Sequence, residues 1–319
     1  MENLITSFEA VLPLFLMILL GMFLRRIGML EEKVRQSLNK LSFKVFLPIY
    51  LFNNIYEIED ISKAFDLRLI LFACIGLVAA FCVMMAVVPR FEKADSRRGV
   101  MIQAMFRSNF ALFGLPLAET LCTKEFIGPT SLLLGLTVPI FNILAVISLE
   151  TFRGGKPSVK KMLRGIATNP LIIASLLGIL AYCLKVSAGF VLPTSLHKGT
   201  LVKLGNVATP LSLVALGSQF VFSSVKNFRW QLFATVAVRL VVLPLTMVTI
   251  GVMLGLRNEF LVPIMIMYGA PTAVSSYPMA QQMGGDSDLA ASCVVFTSGF
   301  AILTIFLFIF GLKSLGLIL

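Results

Sequence analysis

The sequence predicts an all-α membrane protein of ten transmembrane helices, built as two inverted five-helix repeats whose fourth and ninth helices are broken and cross. Three observations lead there. The first is composition: 58% of the 319 residues are hydrophobic and 13% are charged, about half the charged share of a soluble domain. The second is a series of apolar stretches close to the ~20 residues that a spanning helix needs. The third is a pattern that occurs twice inside such stretches, Gly114-Leu115-Pro116-Leu117-Ala118 and Gly269-Ala270-Pro271-Thr272-Ala273.

Taken in order, the stretches run over roughly 8–24, 38–55, 67–89, 99–121, 127–149, 166–184, 201–222, 230–254, 260–282 and 289–312. The first 24 residues carry Glu2 and Glu9, and no Lys or Arg precedes Arg25, so the segment lacks the positive start of a cleaved signal peptide and reads as a span. Lys40, Lys44, Asn53 and Asn54 make the second amphipathic, and Pro48 interrupts it; it either lies in the interface or spans, and its place in the repeat favours spanning. The fourth and ninth carry the Gly-x-Pro pattern. Proline removes a backbone donor and clashes with the preceding turn, and glycine loosens the helix beside it. Both helices are therefore expected to break at membrane depth, where unwound backbone is tolerated only inside protein or against a cavity. In the eighth, Gly251 and Gly255 form a G-x-x-x-G, read as close helix packing.

The segment 153–164, with Gly154, Gly155 and Pro157, is the most basic and least apolar connection. It divides the chain into a first repeat at 1–150, a basic cytoplasmic linker at 151–165 and a second repeat at 166–319. An internal repeat supports the division. Pro13–Gly21 matches Pro170–Gly178 at five of nine positions, Pro48 answers to Pro210, and the Gly-x-Pro-x-Ala motif recurs, at offsets of 157, 162 and 155 residues. Five helices per repeat turn the second half over in the membrane, the inverted topology of secondary transporters. With the N-terminus outside, 17 of the 27 Lys and Arg fall on the inner side, 8 on the outer side, and Arg107 and Arg239 lie within spans. The positive-inside rule then places both termini outside a cell membrane. The formal charge of +11 thus reads as topology signal and not as a nucleic-acid surface.

A matched pair of Gly/Pro-interrupted spans points to a transporter's binding site. Helix N-termini that restart after each break carry the positive end of the dipole, which favours an anion. The candidate site residues are Arg107, Asn109, Gly114 and Pro116 around the first break, Gly269, Pro271, Thr272 and Ser275 around the second, and Asn142 in the fifth span. Asn109 lies seven residues before Pro116, about two helical turns, and so shares its face. Arg107 is either substrate counter-charge or a side chain that snorkels to the inner interface; Arg239 ranks below it. Thr272 and Ser275 serve equally well as structural hydrogen bonders. Of the sixteen acids only Glu9 and Glu119 lie in spans, both near an end, and Glu150 directly follows one, so paired midplane carboxylates for sodium or proton coupling are absent, and unwound carbonyls are left as the groups able to hold sodium. The five cysteines show no metal or redox spacing, no cofactor is expected, and His197 reads as a solvated loop residue.

Arg107-Ser108-Asn109 with Gly114-x-Pro116-Leu117, then Val138-Pro139-x-x-Asn142-Ile143-Leu144, Asn169-Pro170-Leu171, Ala208-Thr209-Pro210-Leu211 and Ala270-Pro271-x-Ala273, resembles the auxin efflux carrier family, whose members include plant auxin exporters and bacterial malate or malonate permease-like proteins. The resemblance implies the bile acid/sodium symporter architecture, with a scaffold and a transport domain that move relative to each other. It also implies a homodimer and matches Asn109, Pro116 and Pro271 to the family's crossover pattern. The linker is far shorter than in the plant exporters, which suggests a prokaryotic-type member. The expected activity is alternating-access carriage, with efflux as its direction, of small organic anions such as carboxylates, dicarboxylates or auxin-like acids. An anion channel or another non-carrier multi-pass protein is the alternative. An intramembrane protease would need Ser with His, paired Asp or H-E-x-x-H, and the sequence offers none.

Overall fold

The computed structural model describes residues 13, 16–57, 66–110, 127–154, 159–219 and 227–318. These form α1 (16–26), α2 (Glu32–Leu41, a π turn at Ser42–Phe46, then Leu47–Tyr56), α3 (Leu67–Phe91), α4 (Asp95–Phe106), α5 (Ile127–Thr151) and α6 (Val159–Ala167). The second half holds α7 (Pro170–Ala188), α8 (Thr194–Leu196, a π turn at His197–Leu201, then Val202–Gln219), α9 (Arg229–Ala237, a π turn at Val238–Val242, then Leu243–Met253), α10 (Asn258–Gly269), α11 (Ser276–Gln282) and α12 (Ser287–Ser314). The described residues contain no strand, and a single β-bridge joins Ser108 to Thr272.

Six of these helices are long and apolar enough to cross a membrane: Leu67–Phe91, Leu133–Thr151, Pro170–Ala188, Thr194–Ser218, Arg229–Met253 and Ser287–Ser314. On α3 and α12 the outer faces are as apolar as the inner ones. On α3, Leu71, Ile75, Val78, Val83 and Val87 are exposed while Leu69, Ala73, Leu77, Ala80 and Met84 are buried. On α12, Phe300, Leu303, Leu307 and Phe310 are exposed while Ala301, Ile305 and Ile309 are buried. A helix hydrophobic all round belongs in a lipid environment, and the chain is a multi-pass integral membrane protein. Of the remaining expected spans, the first begins among residues outside the description, the second carries Glu32, Lys33, Arg35, Lys40 and Lys44, and the fourth and ninth are cut short by their breaks.

Local chemistry explains the boundaries. Asp66 caps α3 by accepting from the amides of Arg68 and Leu69 at 2.7 and 3.1 Å. Asn169 does the same for α7, accepting from Leu171 and Ile172 at 2.9 and 3.4 Å, with Pro170 at the first helical position, where its missing donor costs nothing. The π turns of α2 and α9 each end two residues before a proline, Pro48 and Pro244. The wider turn makes room for a ring that would otherwise press on the carbonyl four residues back. Glycines bring α1 and α8 close together: a Cβ on Gly217 would lie 1.9 Å from the Ile18 carbonyl oxygen, and one on Gly21 would lie 2.1 Å from that of Val214.

Several expectations are corrected. Gly255 is not a packing glycine; it sits at φ +83° with nothing within 4 Å of its Cβ position, just past the end of α9, where only glycine turns left-handed without strain. His197 is not solvated: it is 8% exposed, packs edge-on against Tyr56 with ring centroids 4.8 Å apart and brings Nε2 to 3.5 Å from the Glu57 carboxylate. Within the basic segment, α6 occupies 159–167 and packs on α5 and α7. Most consequentially for the site, the fourth span stops being helical at Phe106, eight residues before Gly114 and ten before Pro116. Those two residues lie outside the described part of the chain.

Candidate functional site at the helix crossover

Two helices end in the protein interior and face each other, α4 at Phe106 and α10 at Gly269. The second end follows from local sequence: the residue before a proline is driven out of the α region, and Ala270 duly sits at φ −64°, ψ 152°. The first is held by pairing. The Asn109 amide donates to the Pro271 carbonyl at 2.8 Å and the Ala273 amide to the Arg107 carbonyl at 3.2 Å, so 107–109 and 271–273 run antiparallel through the Ser108–Thr272 bridge.

The last four carbonyls of a helix have no partner inside it, and in α4 all four are taken. The Gln103 oxygen accepts from the Arg107 amide at 2.9 Å, and the Ala104 oxygen from the Thr272 hydroxyl at 2.7 Å. The Met105 and Phe106 oxygens accept from Arg239 Nη1 at 3.5 and 2.9 Å. The same guanidinium reaches the other break, with Nε donating to the Ala270 oxygen at 2.8 Å and Nη2 to the Met267 oxygen at 3.0 Å. Arg239 projects from the π turn of α9, is fully buried, and ties the two broken helices together. Each helix C-terminus carries about half a negative charge, so two of them roughly balance this one cation.

Arg107 has no such compensation. It is 3% exposed and donates from Nη2 to Asn142 Oδ1 at 2.5 Å and from Nη1 to the Met279 sulfur at 3.3 Å. A thioether is a weak acceptor. The ion pairs among the described residues join Arg35 to Glu32, Arg97 to Asp286, Arg98 to Asp95, Arg153 to Glu150 and His197 to Glu57; none includes Arg107 or Arg239.

Arg107 faces a cavity of about 50 Å³, room for a few waters and well short of the 300 Å³ or more of a typical ligand pocket. Arg107, Ser108 and Asn109 line one side, Asn142 another, Ala273 and Ser275 a third, and Tyr50 of α2 with Thr209 and Ser212 of α8 close it. The Ser108 hydroxyl and the Nδ2 groups of Asn109 and Asn142 are buried there without a hydrogen-bond partner. Buried polar groups are nearly always satisfied, and here three groups able to donate are unpartnered beside a cation with no carboxylate partner among the described residues.

Of the sequence-derived residues, Arg107, Asn109, Asn142 and Ser275 come together on this cavity. Thr272 does not line it; its hydroxyl is engaged by Ala104 and its amide donates to Thr297 Oγ1 at 3.1 Å. Pro271 contributes its carbonyl to the strand pairing, and Gly269 ends α10 away from the cavity. Ser108, Tyr50, Thr209 and Ser212 also line the cavity and are not among the residues expected from sequence. Their signal was adjacent: Tyr50 lies two residues after Pro48 and Thr209 directly before Pro210, the matched prolines of the repeat. Among the described residues no three His, Cys, Asp or Glu side chains gather as a metal site would require.

The family described as membrane transport protein matches residues 6–309. An uncharacterized transporter of Methanocaldococcus jannaschii is 23% identical across 93% of this chain and 96% of its own length. An uncharacterized transporter of Methanothermobacter thermautotrophicus is 25% identical across 90% and 92%.

Proposed function

The chain belongs to this family of membrane transport proteins, the auxin efflux carrier family, and from that premise we propose that it is a secondary carrier of small organic anions. Its substrates are carboxylates, dicarboxylates or auxin-like acids, bound at the crossover and moved by alternating access. The observation that carries the reading is Arg107, a buried cation without a carboxylate partner among the described residues, beside the unpartnered donors of Ser108, Asn109 and Asn142. A desolvated charge costs several kcal/mol unless something compensates it, and an anionic substrate supplies that compensation. A carboxylate accepts several hydrogen bonds at once, which suits the converging donors.

In this reading the ten spans form two inverted five-helix repeats, 1–150 and 166–319, joined through 151–165, with both termini outside the cell membrane. The cavity is too small for a dicarboxylate as it stands, so the wall from α2 and α8 moves relative to the crossover to admit one. The Ser42–Ser212 hydroxyl contact holds α2 to α8 within that wall, and the Asn39–Gln281 contact from α2 to α11 lies on the path of such a motion.

Uptake of labelled malonate, malate and indole-3-acetate into proteoliposomes tests the proposal. Saturable uptake is expected, with competition by unlabelled carboxylates, no competition by the neutral diamide of malonate, and acceleration by unlabelled substrate on the far side. Linear uptake without such exchange contradicts the carrier, and competition by the diamide contradicts the anion.

A further inference from the structure

Arg239 sits where carbonyl oxygens from both broken helices converge. Carbonyl oxygens freed where spanning helices unwind are the groups that coordinate sodium in secondary transporters. At this crossover four such oxygens, Met105 and Phe106 from one break and Met267 and Ala270 from the other, converge on a single guanidinium at 2.8 to 3.5 Å. No carboxylate among the described residues pairs with it. Its charge is met by backbone oxygens and by the negative ends of α4 and α10 alone. The position therefore already has the ligands and the charge balance of a cation site, and the cation in it is covalently attached.

We propose that Arg239 is a tethered cation that takes the role of a mobile coupling ion at the crossover, so that the two broken helices stay joined and substrate is carried with no sodium bound there. The part concerning substrate rests on the carrier reading above. The part concerning the cation does not, and stability measurements on the full-length protein test it whatever is transported.

The first arm is thermal unfolding of the purified protein in detergent, with sodium exchanged for choline at constant ionic strength. No sodium-specific shift is expected for the wild type; a saturable rise with sodium overturns the proposal, because it puts a mobile cation where Arg239 should exclude one. The second arm is Arg239→Ala, which leaves four carbonyls and an empty place. Its unfolding temperature is expected to fall and to recover most of the loss, saturably, in millimolar guanidinium, with choline giving no recovery. No difference between guanidinium and choline overturns the proposal. If Arg239→Ala cannot be obtained folded, Arg239→Lys and Arg239→Met decide. A lysine variant more stable than the near-isosteric neutral methionine variant supports a required charge, and equal or reversed stabilities refute it. Uptake into proteoliposomes completes the test: the rate is expected to be unchanged when choline replaces sodium on both sides, and a sodium requirement overturns the functional half while the unfolding arms still judge the structural half.

Discussion

Replacing Arg107 with methionine separates binding from stability, because the two are expected to move in opposite directions. A substrate carboxylate about 4 Å from the guanidinium gains about 4 kcal/mol at an effective dielectric constant of ~20, roughly a thousandfold in affinity. Allowing for the cost of desolvating the substrate, Arg107→Met is expected to weaken dicarboxylate binding by at least about a hundredfold. Without substrate the balance differs. The variant loses one charge-assisted bond to Asn142 Oδ1, worth about 1.5–3 kcal/mol, and a weak contact to the Met279 sulfur, while it is relieved of a buried ion whose desolvation costs several kcal/mol. The unliganded variant should be no less stable than the wild type. Thermal unfolding with and without malonate, paired with proteoliposome uptake, reads both quantities. A variant destabilised by more than about 3 kcal/mol with an unchanged KM for malonate would show that Arg107 is a structural tie, and the argument from its missing partner would fail.

Other consequences follow from the packing. Gly217→Ala puts a methyl 1.9 Å from the Ile18 carbonyl oxygen and should cost about 1–3 kcal/mol or more. Gly311→Ala in α12, where nothing lies within 4 Å, should instead gain about 0.5–1 kcal/mol; equal unfolding temperatures for the two would contradict the α1–α8 contact. Thr272→Val keeps the shape but leaves the Ala104 carbonyl without its hydroxyl donor, an expected loss of about 1–3 kcal/mol measurable by the same unfolding assay. Beyond the end of α3, burial opposes ionisation of Glu92, but hydrogen bonds from the Ala94 amide and the Gln231 side chain, with Arg97 nearby, outweigh it and hold the carboxyl below its ordinary range. A depressed folded-state value means stability that is present above about pH 4.3 and lost as pH falls through the folded value. The acid side of the unfolding profile should therefore flatten in Glu92→Gln, and an unaltered slope would remove Glu92 from the account.

The two breaks show which parts of this structure a sequence discloses. The second was legible because its cause is local: Pro271 forces Ala270 out of the helix, and α10 ends where Gly269-Ala270-Pro271 says it should. At the first, α4 ends at Phe106, ahead of Gly114 and Pro116, and nothing local ends it there. Neither glycine nor proline stands there, and the end of α4 with the extended conformation of 107–109 is held by backbone and side-chain groups from 133 to more than 160 residues away in sequence, by Pro271 and Ala273 through their backbones, by Thr272 through its hydroxyl and by Arg239 through its guanidinium. Arg239 was ranked low for the same reason, since a lone cation in a span looks like a snorkelling side chain until its carbonyl partners are known. Asn109, Asn142 and Arg107 were legible as expensive polar groups at membrane depth. That Thr272 braces the fold while Ser108 opens to the cavity depends on which way each side chain of a two-residue bridge points, and sequence does not carry that.

The central claim, that an organic anion binds where the two broken helices meet, is tested most directly by measuring uptake of labelled malonate, malate and indole-3-acetate by wild type, Asn109→Ala and Pro271→Ala in proteoliposomes under sodium and proton gradients. The account predicts saturable uptake of at least one of these acids by the wild type and its loss in both variants at unchanged protein incorporation. Saturable uptake that both variants retain with unaltered KM would place the site elsewhere in the fold.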